Sequence, residues 1–275
     1  MAQRMGMDHL GPYAFNVCRF LVGALSLLPL LFFLRKKGSG STDFNRSFWK
    51  FSIFAGFALF GGATLQQVGI QYTTVGKAGF ITGLYVVIVP ILGLCLRQKI
   101  GRWTVIGCIL AVLGLYFLSI KQDFSIGWGE TLVLIGAFFW AVHVQVIGAA
   151  NKRNLSPIKL ALVQYLVCAA LNLLLSLLFE TFLFDQVILA SGAILYAGIV
   201  SVGIAFTLQV IAQKKVDPSR AAIILNLEAV FAVLAGWLFF TELLTVKEWF
   251  GCGLMFLGMI LSQMKGQEQE QVAES

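Results

Sequence analysis

The chain has 275 residues, 59% of them hydrophobic and 12% charged, with a mean hydropathy of +0.86 and a formal net charge of +7. A soluble globule of this size could not hide that much apolar surface, so the composition excludes one and points to lipid. The basic excess sits in short links between apolar runs, which fits membrane orientation better than a nucleic-acid partner.

A membrane-crossing helix needs about 20 apolar residues at about 1.5 Å rise each. Nine stretches qualify in chain order: 13–34, 48–71, 75–96, 103–120, 129–150, 157–179, 186–212, 219–240 and 247–264. Pro12 and Pro157 stand where a first helical turn begins, a place where the missing N–H costs nothing. The longest link, 35–47, carries a flexible GSGST run, so no soluble domain is inserted. Residues 265–275, rich in Gln and Glu, read as a polar cytoplasmic tail. The five cysteines all fall inside apolar runs without a CxxC pair, which makes them small core residues and predicts no metal site.

Assigning the links to alternate sides sorts the Lys and Arg residues. Fifteen fall on one side, between Arg35 and Lys50, Arg97 and Arg102, Lys152 and Lys159, Lys214 and Arg220, and at Lys265; four, Arg4, Lys77, Lys121 and Lys247, fall on the other. The rich side, with the C-terminus, is predicted to face the cytoplasm across the inner (plasma) membrane.

The second half repeats the first at an offset of about 144 residues. Pro12 falls on Pro157 and Leu21 on Leu166; Gln66 falls on Gln209 and Lys77 on Arg220; Gly107 and Gly114 fall on Gly251 and Gly258. The predicted fold is therefore all-α and multi-pass: a first repeat of four helices over 1–121 and a second of five over 122–264, both built on a five-helix unit whose odd count turns the two copies upside down relative to each other. The run 130–150 ahead of Pro157 has no counterpart ahead of Pro12. The expectation is nine transmembrane helices, the first unit lacking its opening helix, as an N-terminally shortened chain would from a start codon placed too far downstream; a natural nine-helix protein is the alternative.

Polar groups within the apolar runs are candidates for a substrate path, because each is expensive to keep in lipid. Tyr85 and Glu228 are repeat partners on corresponding helices, and Glu228 is a carboxylate well inside a predicted span, able to carry a proton or to neutralise a base. Lys77 and Arg220 attract anions to opposite vestibules or mark the interface. Gln66, Gln67, Gln209 and Asn226 offer donors and acceptors to a polar solute, or bind helix to helix. Trp140 and His143 stand one turn apart. Arg19 either snorkels outward or pairs with a carboxylate such as Glu228, and Gln164 holds its place in the other repeat. Pro90 is expected to bend its helix, and Gly79 with Gly83 to pack it tightly. Glu242 and Glu248 read as solvated helix ends.

The runs PYAFNVCRFLVGAL from Pro12, TTVGKAGFITGLYVVIVPILGL from Thr73 and LEAVFAVLAGWLFFTELLT from Leu227 resemble the EamA-type members of the drug/metabolite transporter superfamily. The resemblance covers nearly the whole chain. It implies two inverted five-helix repeats around a central pathway for small metabolites, possible amino acids or related solutes among them, moved by alternating access. Arg19 matches the basic residue before Phe in the family's second-helix pattern, and Glu228 its LE pattern. No Walker A loop, HExxH or GxSxG occurs, so neither catalysis nor a cofactor is expected and a gradient supplies the energy. The expected partners are a small-molecule substrate and the bilayer, with no nucleic acid, in a monomer or homodimer. A membrane-embedded lipid-modifying enzyme would want clustered His, Asp or Glu where this chain has two histidines, His9 and His143; a channel is the other alternative.

Overall fold

The computed structural model describes residues 2–36, 45–119, 127–181, 184–240 and 245–263, and among these residues there are helices and no strands. The first half holds α1 (Ala2–Met7), α2 (Pro12–Ser26), α3 (Leu28–Lys36), α4 (Arg46–Gly69), α5 (Val75–Gly83), α6 (Tyr85–Cys95) and α7 (Arg102–Ser119). The second holds α8 (Trp128–Asn151), α9 (Pro157–Phe179), α10 (Phe184–Leu189), α11 (Ser191–Leu195), a π-helical segment (Tyr196–Phe206), α12 (Thr207–Ala212), α13 (Pro218–Leu225), α14 (Glu228–Phe240) and α15 (Val246–Gln263). The polar tail from 265 on and Glu242 lie outside the described residues.

Among the described residues six runs are long and apolar enough to cross a membrane: Pro12–Phe33, Arg46–Gly69, Gly76–Cys95, Trp128–Asn151, Pro157–Phe179 and Ser191–Ala212. The protein is multi-pass. Helix starts follow local chemistry, with Pro12, Pro157 and Pro218 in first turns and Asn45 and Thr74 accepting from the Phe48 and Lys77 N–H groups at 2.8 and 3.3 Å. Glu248 is buried, not solvated: its carboxylate takes the Thr245 N–H at 2.8 Å while Thr245 Oγ1 takes the Glu248 N–H at 3.3 Å, a capping box that starts α15.

Glycines bring the backbones together. On α7 and α15, a methyl group added at Gly107 would lie 2.6 Å from the Gly258 carbonyl oxygen and one at Gly114 2.5 Å from that of Gly251; the reciprocal approaches are 2.7 and 2.6 Å. Numbers rise along one helix as they fall along the other, so the pair is antiparallel. Because Gly107 is equivalent to Gly251 and Gly114 to Gly258, exchanging the two halves returns the same two contacts.

A second pair of contacts behaves likewise. Gly56 of α4 abuts Val167 and the Gln164 carbonyl of α9, while Gly198 of the π-helical segment abuts Val22 and the Arg19 carbonyl of α2. Val22 and Val167, and Arg19 and Gln164, are repeat equivalents. Each half therefore packs its helices on those of the other half. The largest core cluster fills this junction, with Phe20, Leu59, Ile147, Leu160, Tyr165 and Val202 buried together.

Helix ends gather in two groups. At one end Tyr13 meets Phe179, Thr73 meets Glu130, and Lys247 lies over the Tyr116 ring. At the other, Arg153 donates to Ser47, Asn151 to the Val210 carbonyl, and Gly148 packs on Pro218.

Candidate functional site

Two helical runs are interrupted at matching positions. Between α5 and α6 the ladder tightens around Leu84, whose N–H donates to the Ile81 carbonyl at 3.2 Å and whose carbonyl accepts from Val87 at 3.0 Å. Between α13 and α14 the Leu227 N–H donates to Ile224 at 3.1 Å and the Ala229 N–H to Asn226 at 3.2 Å. The repeat register equates Leu84 with Leu227 and Gly83 with Asn226. These breaks meet: a methyl group at Gly83 would come within 2.6 Å of Asn226 Oδ1. Each turn keeps its hydrogen bonds, tightened towards the i+3 pattern, and such turns within a helix often mark a hinge.

The first residue beyond each break is a residue singled out from sequence. Tyr85 opens α6 and Glu228 opens α14, and half-buried Tyr85 lies within electrostatic reach of Glu228. Glu228 is exposed at the start of α14. An acid in a first turn also meets the positive end of its own helix. Gly79 faces open space, with nothing within 4 Å of an added methyl group, so of the expected Gly79–Gly83 packing pair only Gly83 is in contact.

The remaining candidates divide between this seam and the rest of the bundle. Gln66 donates to Thr82 Oγ1 at 3.0 Å, tying α4 to α5, and Gln67 donates to the Gln3 carbonyl at 3.2 Å. Gln209, half-buried on α12, and Arg220, half-buried on α13, belong to the other end. Lys77 lies 4.0 Å from Glu130, which also accepts from Thr73 and from the Gly127 N–H. Lys77 and Arg220, though equivalent, thus stand at opposite ends. Pro90 does not mark the interruption, which falls earlier, at Leu84; α6 runs through Pro90, and the Val86 carbonyl it deprives of a partner accepts from the Cys108 thiol at 3.4 Å. Gln145 bridges the Val89 carbonyl and Gln98, both at 2.8 Å.

A separate polar cluster is buried where α2, α4, α8 and α9 cross. Asn172 accepts from Asn16 at 3.2 Å and from Thr64 at 2.9 Å and donates to the Cys168 carbonyl. Gln164 Oε1 lies 2.9 Å from His143 Nε2, and the His143 ring stands edge-on to Trp140 at 6.0 Å. Arg19 is 2% exposed and has no carboxylate partner among the described residues, so it neither snorkels nor pairs with Glu228. Its guanidinium sits 5.0 Å from the Phe20 ring centre and 5.8 Å from that of Phe15. Such contacts return about 0.5–2 kcal/mol each, less than the several kcal/mol lost by an unpaired buried charge.

Sequence reasoning did not single out Asn16, Asn172 or Glu180. The asparagines carried the same signal as Glu228, polarity inside an apolar run. Glu180 follows α9, where an acid opposes the helix dipole; it accepts instead from the Tyr13 and Ala14 N–H groups at 3.0 and 2.8 Å, capping α2. Between α2, α4, α8 and α9 an apolar cleft of about 570 Å³ opens, walled by Phe57, Leu65 and Phe139, with Tyr13, Tyr72 and Trp128 at its outer end and Thr64 in its lining. None of the residues expected to line a substrate path borders it.

Comparison with known proteins agrees with this architecture. The chain is 33% identical to an uncharacterized transporter of Archaeoglobus fulgidus over 95% of its own length and 80% of the relative's. It is 24% identical to the uncharacterized transporter YoaV of Bacillus subtilis over 95% and 90%. A solved crystal structure superposes with a TM-score of 0.76, covering 98% of this chain and 92% of that one at 17% identity, a likeness of fold. The model of the EamA-like transporter family matches residues 1–120 and 127–264. A membrane bundle matched in two segments over nearly its whole length thus belongs to the EamA-like transporter family.

Proposed function

We propose that the protein is a secondary transporter that moves a small metabolite, an amino acid or related solute, by alternating access between two inverted units. The observation that carries this reading is the meeting of the two interrupted helices, Gly83 against Asn226, with Tyr85 and Glu228 as the next residues on each side. Two contacts that survive exchange of the halves, and the antiparallel course of α7 and α15, support the inversion: an axis relating antiparallel helices lies across them, in the membrane plane. In this reading all nine apolar stretches cross, the basic ends and the C-terminus face the cytoplasm, and the pathway runs from Lys77 past Tyr85 and Glu228 to Arg220.

Rocking one unit against the other exposes the seam to each side in turn. Glu228 serves as the proton carrier or as the polar anchor for the solute. Counterflow in proteoliposomes with a metabolite panel tests the reading, comparing wild type with Glu228→Gln and Tyr85→Phe. Both variants are expected to insert normally and to lose at least about tenfold in counterflow, the loss of one charge-assisted hydrogen bond. Full counterflow in both would overturn the assignment of the seam, and unchanged pH dependence in Glu228→Gln would exclude the proton-carrier role.

A further inference from the structure

We propose that the apolar cleft between α2, α4, α8 and α9 seats one acyl chain of a phospholipid with an ammonium headgroup, the head resting among Tyr13, Tyr72 and Trp128 beside Glu180. All four helices belong to runs able to cross the membrane. The cleft has the depth of one leaflet. Phe57 and Phe139, in its walls, stand half-way along α4 and α8, while Tyr72 and Trp128, at its outer end, stand just past the end of α4 and at the start of α8. From Phe139 to Trp128 the rise is about 17 Å at about 1.5 Å per residue, against about 15 Å for half of a hydrocarbon core. The two helices meet at that outer end, where a methyl group at Gly129 would lie 2.8 Å from the Tyr72 Cβ. Phe57 is exposed half-way along its span, so the cleft opens sideways into lipid as well as at its end.

The lining decides the class of ligand. Away from the outer end its one polar side chain is Thr64, whose hydroxyl already donates to Asn172 at 2.9 Å, so what fills the inner part is apolar. The outer end is aromatic. Tyr and Trp rings settle at headgroup level, and their faces attract an ammonium group. Charge beside them is negative: Glu180 accepts from the Tyr13 and Ala14 N–H groups and has no cation within 4.0 Å among the described residues, whereas Glu130, two residues from Trp128, lies 4.0 Å from Lys77. The helix end that Glu180 caps offsets only about half a charge, and the remainder favours an ammonium head over an anionic one. An amphiphilic cation from solution would meet the same groups; the sideways opening and the leaflet depth favour a lipid of the bilayer. The site needs only that the chain spans a membrane and does not rest on the transport proposed above.

Native mass spectrometry of the purified full-length protein tests the site, after delipidation in detergent and addition of palmitoyl-oleoyl phosphatidylethanolamine or of the phosphatidylglycerol with the same chains. Wild type is expected to retain one ethanolamine lipid per chain, at least about threefold more firmly than the glycerol lipid. Trp128→Leu keeps apolar bulk but loses a ring face, and a loss of about threefold for the ethanolamine lipid is expected. Glu180→Gln is expected to erase the preference between the two lipids. Val68→Phe crowds the cleft and is expected to weaken both lipids about tenfold. Should a variant fail to fold, the wild type carries the test alone: an ethanolamine lipid with a photoreactive group at the end of its chain is expected to label α4 and α8 around Phe57 and Phe139. No lipid retained one to one, equal retention of the two lipids by wild type, unchanged retention in Trp128→Leu and Val68→Phe, or labelling on other helices would each overturn the proposal. So would dodecyltrimethylammonium displacing the ethanolamine lipid at equal concentration, which would make a free cation the occupant.

Discussion

The α7/α15 contact and the meeting of α5/α6 with α13/α14 join the same two halves, yet they are built in opposite ways. The first is glycine on backbone: methyl groups at Gly107, Gly114, Gly251 or Gly258 would all meet a carbonyl oxygen of the facing helix within 2.7 Å. The second joins interrupted helices through side chains, Gly83 against Leu115 and Asn226, beside a glycine that faces open space. Unbroken helices packed without room to slide make a fixed seam. The tightened turns, held by side chains that can rotate, form the seam that opens under the alternating-access proposal. Lipid offers no hydrophobic drive between helices, so closeness of backbone decides which contact is rigid.

Gly114→Val probes the rigid side and has the largest expected effect. Its side chain cannot avoid the Gly251 carbonyl, and a loss of about 3 kcal/mol, the upper part of the range for overpacking, is expected in detergent unfolding; a loss below about 1 kcal/mol would dissolve the contrast. Gly83→Ala probes the movable side. Leu115 and Asn226 can rotate away, so about 1 kcal/mol or less is expected in the same measurement, with a larger change in counterflow than in stability. Glu180→Gln lies outside both seams and removes a charged cap from α2, for which about 1 kcal/mol is expected; amide exchange at Tyr13 and Ala14 would report it locally. Gly79→Ala is the smallest, a gain of about 0.5 kcal/mol from helix propensity, and a clear destabilisation would show that the open space is filled.

Much of this was legible without coordinates. Each apolar run is helical where described, because hydropathy and a first-turn proline act within a few residues of where they are read. Thr245 and Glu248 spell a readable capping box, yet position at a turn reads as a solvated end, since burial of the final span's start depends on its neighbours. Pro90 was the local signal for a break, and the break formed at Leu84 instead: the Cys108 thiol answers the carbonyl that proline leaves open, and Leu84 stands opposite Asn226. The Tyr85–Glu228 pairing was available from the repeat register, but their place directly after two facing interruptions was not.

By itself, then, the sequence determined that the chain belongs in lipid and where its helices run, and it offered a register between its halves, all properties of composition and period. Only the tertiary structure decided which halves' helices touch, that Glu180 caps a helix 166 residues away, and that Arg19 is buried with no acid beside it among the described residues. Those outcomes depend on contacts between residues far apart in the chain, and hydropathy carries no record of which distant group ends up opposite a given side chain.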